Sequence, residues 1–314
     1  MKNSGRRRGA VTAVMAVTAL AFTTACDSGS AGDSGAPTLS IAFSVSTLNN
    51  PFFVQLRDGA EQAAKEMGVK LVVQDAQNDA TKQINDVQAF VTQKVQAILV
   101  NAVETDQSEP IAKAAAGARI PLVAVDRSID GTVVSEITSD NVQGGQLAAE
   151  ALAKAVGPGD VVTLQGISGT SASRDRDEGF TQGMALRSSI RVVSKKGAEF
   201  DRAKGMDVMS ALAQSQPKLK GVFAENDEMA LGAVKALGSR AGKDVMVVGF
   251  DGTPDALVAV QNGTLAATIA QQPRELGRLA VEQAVKTIRK EKVRQLIEVP
   301  VKVVTKDNVA DFRN

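Results

Sequence analysis

Asn50, Asn101, Asp126 with Arg127, Asn226, Asp251 and Gln271 each fall just past a short apolar run, and Ile167 and Phe250 stand at the same kind of boundary. The polar members are amides, carboxylates and a guanidinium, groups that each make two well-directed hydrogen bonds. Phe52 and Phe53 follow Asn50 closely, in a chain with ten phenylalanines and no other aromatic residue. A ring carrying hydroxyls donates and accepts around its edge and presents C–H groups on its faces. Paired donors and acceptors suit the edge, and phenylalanine rings suit the faces. Asn and Asp after a strand are also ordinary turn formers, and Phe52 and Phe53 also suit a core. The joint placement of all these residues is what points to a polyol or sugar site.

Such residues meet only if the elements before them end on one side. Strand-like runs over 39–45, 69–73, 97–100, 122–125 and 133–137 alternate with helical spacing over 54–67, 83–93 and 106–118. Asn49-Asn50-Pro51 is a turn signal, with Pro51 suited to the first position of a helix. A helix over 142–156 stops at Gly157-Pro158-Gly159. The alternation then restarts, with strands over 161–164, 191–194, 221–224, 245–249 and 266–269. Helices fall near 179–186 and over 203–213, 228–237 and 274–290, before an extended run over 299–304. Repeated βα units imply parallel sheets covered by helices, with ligands at the carboxyl ends of the strands. Two successive series imply two Rossmann-like α/β lobes, with a seam near Ser139-Asp140.

Composition removes several classes of function. The 314 residues carry a net charge of +1, which gives no electrostatic case for nucleic acid. There is no histidine, hence no histidine metal site, Ser-His-Asp triad or imidazole base, and no cofactor motif is visible. The single cysteine, Cys26, cannot form an internal disulfide. Lys2, Arg6, Arg7 and Arg8 precede an apolar run over 10–22 that is too short to span a bilayer, and small residues then lead into Cys26. That is a secretory signal over 1–25. It resembles bacterial lipoprotein signals, in which the cysteine carries the lipid, although Thr23 stands where those signals usually have leucine. A plain signal peptide with an incidental cysteine is the alternative. Residues 26–37 form a Gly/Ser/Ala/Asp tether.

The runs Ser-Thr-Leu-Asn-Asn-Pro-Phe-Phe (46–53), Ser-Asp-Asn-Val (139–142), Leu-Gln-Gly-Ile (164–167) and Phe-Asp-Arg (200–202) resemble the bacterial ribose-binding proteins, receptors of ABC importers. So do Asn-Asp-Glu-Met-Ala-Leu-Gly-Ala (226–233), Val-Met-Val-Val-Gly-Phe-Asp-Gly-Thr-Pro-Asp (245–255) and Leu-Ala-Ala-Thr-Ile-Ala-Gln (265–271). The resemblance spans roughly 39–304. It implies a type I periplasmic binding protein fold, with two lobes joined by three crossings near Ser139, Gln271 and Pro300. The lobes would then be 38–138 plus 272–299, and 139–271 plus 300–314. It implies that Phe52, Phe53 and Phe200 stack on the sugar faces. Asn50, Asp126, Arg127, Arg176, Asn226, Asp251 and Gln271 would bond the hydroxyls, with Arg174 as the neighbouring alternative to Arg176. Asn101, Ser139, Ile167 and Phe250 would line the pocket or support it. The implied partners are D-ribose, the permease subunits, the membrane through Cys26 and a possible chemoreceptor, for a chain acting as a monomer.

The expected mechanism is closure of a hinge around the sugar, with Asp126 and Asp251 ionised and compensated by Arg127 and Arg176. Another pentose, a hexose or a furanose-like signal is the nearest alternative ligand. A sugar repressor would need a helix-turn-helix where this chain has a signal peptide. A sugar-acting enzyme would need Asp126 or Asp251 free to act as a base.

Overall fold

Ala97–Val100 and Leu122–Val125 are apolar and buried at every position, the pattern of parallel strands covered on both faces. A computed structural model of the protein describes residues 39–312. The signal peptide expected over 1–25, Cys26 and the tether expected over 26–37 lie outside the described residues.

The first series runs β1 (Ser40–Val45), α1 (Pro51–Glu66), β2 (Lys70–Asp75), α2 (Ala80–Thr92), β3 (Ala97–Val100), α3 (Glu109–Ala118), β4 (Leu122–Val125) and β5 (Ser135–Ser139). The second runs α4 (Asn141–Val156), β6 (Gly159–Gln165), α5 (Ser171–Ala185), β7 (Ile190–Gly197), α6 (Arg202–Ser215), β8 (Leu219–Ala224), α7 (Asp227–Leu237), β9 (Met246–Asp251), α8 (Pro254–Asn262) and β10 (Ala267–Ala270). The chain ends with α9 (Pro273–Ile288), β11 (Leu296–Val299) and β12 (Lys302–Val304).

These strands make two six-stranded sheets, β11-β5-β4-β3-β1-β2 and β12-β10-β9-β8-β6-β7. All pairings are parallel except β10 with β12. Each sheet has an apolar layer on both faces. Phe43, Leu56 and Leu276 lie on one face of the first sheet, and Phe90, Ile98 and Ile111 on the other. The second sheet has Phe180, Phe223 and Phe250 on one face, and Leu164, Met229 and Val247 on the other. The chain passes between sheets after β5, after β10 and after β11. The passages are tied together: Asp140 N–H donates to the Val299 carbonyl at 3.1 Å and the Gln272 amide to the Pro300 carbonyl at 2.9 Å.

Three expectations need correction. The extended run over 299–304 is two strands in different sheets, because Pro300 has no N–H to continue a ladder. Helix α5 begins at Ser171, well before 179, with Thr170 as its N-cap. Its first two turns bury Ser171, Ser173 and Arg176, so the apolar periodicity that marks a helix is missing there. Helix α8 lies where the sequence pattern predicts no element, although Pro254 at its start and the left-handed Gly263 past its end are standard boundary residues. The helix expected over 106–118 is a 3-10 turn at Thr105–Gln107 followed by α3.

Candidate functional site

Parallel pairing brings the carboxyl ends of β1, β3 and β4 to one edge of the first sheet, where three groups of side chains gather. Asn50 caps α1, its Oδ1 accepting from Phe52 N–H at 2.9 Å. Phe52 and Phe53 stand edge to face with centroids 5.2 Å apart. Asp126 follows β4 in a left-handed conformation (φ 66°), which Asp tolerates better than most residues. Its Oδ2 accepts from the Asn101 amide at 3.1 Å. Asn101 is itself fixed, accepting from Ser46 N–H at 3.2 Å and donating to the Val125 carbonyl at 3.2 Å. Arg127 donates to the Ala102 and Val103 carbonyls at 2.8 and 2.9 Å and lies over the Phe53 ring at 5.2 Å.

The second sheet repeats the arrangement. Asn226 caps α7, accepting from Met229 N–H at 2.9 Å and donating to the Phe200 carbonyl at 3.2 Å. Asp251, at the end of β9, also has a positive φ (124°), and its Oδ1 accepts from the Gln271 amide at 2.7 Å. Arg176 donates through Nε to Asn141 at 2.9 Å and through Nη1 to the Glu225 carbonyl at 2.7 Å. It lies 3.9 Å over the Phe250 ring, with Nη1 3.7 Å from Asp251. The Phe200 ring lies against Gly166, where an added Cβ would fall 2.0 Å from a ring carbon. Only glycine leaves room for the ring there.

Between the two walls is a cavity of about 260 Å³. It is lined by Asn50, Phe52, Phe53, Asp126 and Arg127 on one side and by Ala172, Arg176, Phe200, Asn226, Asp251 and Gln271 on the other. The volume includes space open to solvent, and the mix of phenylalanine rings with paired polar groups suits one small hydroxylated ring. Asp126 Oδ1, Arg127 Nε and Gln271 Oε1 are buried without a hydrogen-bond partner. Unpaired buried polar atoms are costly, so the two walls match a guest with hydroxyls that both donate and accept. Beside the cavity the walls touch: Ser171 N–H donates to Thr105 Oγ1 at 3.1 Å, Ser128 N–H to Ser171 Oγ at 3.0 Å and Asp106 N–H to the Gly169 carbonyl at 3.2 Å.

Burial pushes the Asp126 carboxyl upward, while Arg127 and Arg176 pull it back. Burial pushes Asp251 well above the carboxylate range, opposed chiefly by Arg176. Arg127 is drawn down to about 10 by burial, against the attraction of Asp126, and remains a cation at neutral pH.

Of the residues singled out in the sequence, Asn101, Ser139, Ile167 and Phe250 are not in the cavity lining. Asn101 holds Asp126 and Phe250 lies beneath Arg176. The Ile167 carbonyl accepts from the Thr170 hydroxyl at 2.8 Å, next to the start of α5. Ser139 is buried at the first passage between sheets. Arg174 is largely exposed, and Arg176 occupies the cavity wall. Sequence reasoning missed Ala172 as a lining residue, and Asn141, Ser173 and Glu225 as supports. A glutamate directly after the apolar Gly221-Val222-Phe223-Ala224 was a visible signal for Glu225. Nothing in the sequence marks Ala172.

The sequence over 41–292 matches a family model described as a periplasmic binding protein domain. The ribose import binding protein of Escherichia coli (strain K12) is 48% identical over 268 residues, covering 85% of this chain and 90% of that protein. Its counterpart in Bacillus subtilis (strain 168) is 44% identical over 267 residues, covering 84% and 87%. An ABC transporter periplasmic solute-binding protein from Actinobacillus succinogenes, solved with bound D-allose, superposes with a TM-score of 0.82 at 31% identity, covering 87% of this chain and all of that one. Two sheets with a polar cleft between their strand ends, and these relatives along nearly the whole described chain, lead to one conclusion: this chain belongs to the periplasmic binding protein family.

Proposed function

We propose that this protein is the extracytoplasmic substrate-binding component of an ABC sugar importer, that it takes D-ribose into the cleft between its two sheets, and that its role is binding and not catalysis. The observation that carries the reading is the cavity wall itself. Each side supplies a capping asparagine, a carboxylate held by an amide, and a guanidinium, around a space that suits one small ring. Phenylalanine rings stand on both sides of it. The names of the relatives from Escherichia coli and Bacillus subtilis point to ribose in particular.

The lobes would be 38–138 plus 272–299 and 139–271 plus 300–314, moving about the three tied passages near Ser139, Gln271 and Pro300. Sugar that touches both walls binds the closed form better and shifts the population toward it. In that form Asn50, Asp126, Arg127, Arg176, Asn226, Asp251 and Gln271 would bond hydroxyls, and Phe52, Phe53 and Phe200 would cover the ring faces. The closed shape would be what the permease subunits recognise. Among the described residues no helix is long and apolar enough to cross a membrane, and a lipid on Cys26 would hold the protein at the outer face of the cytoplasmic membrane. A chemoreceptor is a further possible reader of the closed monomer.

Calorimetric titration of the purified protein with ribose and a panel of pentoses and hexoses tests this. The chain has no tryptophan or tyrosine, so intrinsic fluorescence would be a poor probe. One-to-one ribose binding, with hexoses much weaker, is the expected result. Tight binding of another sugar with no heat from ribose would overturn the specificity, and silence across the panel would overturn the sugar reading.

A further inference from the structure

Glu225 follows β8 and is wholly buried behind the second wall of the cavity. Its Oε2 accepts from the Gly166 N–H at 2.7 Å and from the Ser173 hydroxyl. Its Oε1 has no partner. Its main-chain carbonyl takes the Arg176 hydrogen bond described above. Both side-chain donors are one step from the cavity: Gly166 lies under Phe200, and Ser173 follows Ala172 in the first turn of α5.

We propose that Glu225 is a positioning residue of the second wall: its buried carboxyl group fixes Gly166 beneath Phe200 and the first turn of α5, and so sets an aromatic face, Ala172 and Arg176 against the ligand. This rests on the sugar-binding reading above. The surroundings favour the uncharged form of the group. From α5 it meets Arg176, which favours ionisation, and Asp177, which opposes it. Asp177 is itself paired with Lys195 of β7 at 2.8 Å. From α4 comes only the neutral Asn141, through Arg176. Asp227 of α7 is turned away to Thr253 and Thr268, and Asp251 of β9 faces Gln271 and Arg176. No guanidinium or ammonium hydrogen bond to the Glu225 carboxyl group is found among the described residues, since Arg176 bonds its main chain instead. Burial therefore dominates and pushes the group up to about 8. Ionised, it would have one oxygen with two donors and one with none. Water entering to solvate that oxygen would loosen both Gly166 and Ser173.

The test compares the intact wild-type protein with Glu225→Gln, Glu225→Leu and Ser173→Ala across pH 5–9, by melting temperature and by ribose titration. The native state keeps the Glu225 proton up to about pH 8, whereas an unfolded chain loses it near 4.5. This contribution to stability is complete below the lower value and is lost as pH rises to the upper one. Glu225→Gln keeps an acceptor and cannot ionise, so its melting temperature should gain on wild type across that window and then level off. Its ribose affinity should match wild type at pH 7 and persist where the wild-type affinity falls, above about pH 8. Glu225→Leu and the milder Ser173→Ala should both weaken ribose binding at pH 7. A melting difference that does not vary with pH overturns the uncharged state. Wild-type affinity in both Glu225→Leu and Ser173→Ala overturns the positioning role. Ribose silence in the wild type would overturn the ribose reading alone, because the melting series needs no ligand and still decides the charge state of Glu225.

Discussion

In the wall built on the first sheet, the one buried carboxyl, Asp126, is held by Asn101 and flanked by an arginine fastened to two carbonyls. In the wall built on the second, Glu225, Asp227 and Asp251 are all buried, and Arg176 faces the last of them. The plan is otherwise shared. A helix-capping asparagine and a carboxylate clamped by a side-chain amide appear on both sides, and each carboxylate sits on a residue with positive φ. The lesson is that equivalent recognition groups can be set in unequal electrostatic surroundings. In the first wall the arginine is held by main-chain carbonyls, which do not titrate. The second is held partly by acids, and should respond to pH.

Substitutions on either side test whether the two walls contribute alike. Asp251→Ala should weaken ribose binding by about 2–4 kcal/mol, because Gln271 and Arg176 lose a buried partner. Asn226→Ala should fall in the same range, part of it through the lost cap of α7. Unchanged affinity by calorimetry in either variant would remove that residue from the site. Asn101→Ala, which touches no cavity, should cost about 1–3 kcal/mol by leaving Asp126 without its amide. An effect confined to thermal stability, with affinity intact, would show that Asn101 supports the fold and not the site.

Acidification sharpens the contrast. Sugar hydroxyls that donate favour the ionised acceptors, so protonation should weaken binding as pH falls, by at most about tenfold per pH unit for each group. Burial raises both Asp126 and Asp251, so the loss should set in above the ordinary carboxylate range. Titration of Asp251→Asn beside Asp126→Asn assigns it, and a pH profile unchanged in both variants would remove these two groups as its source. The smallest effect belongs to the contact between walls. Thr105→Val removes the acceptor for Ser171 N–H and should cost about 0.5–1.5 kcal/mol in ribose affinity while leaving the cavity unaltered. No change would mean that this hydrogen bond does not help hold the closed form.

Local patterning alone places most of the strand ends. Runs such as Ala97–Val100 and Leu122–Val125 have one reading, a strand buried on both faces, and parallel strands bring Asn101 and Asp126 to one edge. Asn50-Pro51 announced both a turn and a helix start, and the helix begins there. Arg176 and Phe200 follow no strand directly and are implied only by the family resemblance, Phe200 within the Phe-Asp-Arg run over 200–202. The tertiary structure decided what periodicity cannot show. The first turns of α5 look polar because they bury serines and an arginine against the cleft. The run around Pro300 divides between two sheets because its strands find different partners. Glu225 stands out in the sequence after an apolar run, but its role is recognisable only once Gly166 and Ser173, far away in sequence, are seen to donate to it. Local patterning records which face of an element is apolar. It does not record a polar group whose partners lie on other elements, and the walls of this cleft are built from such groups.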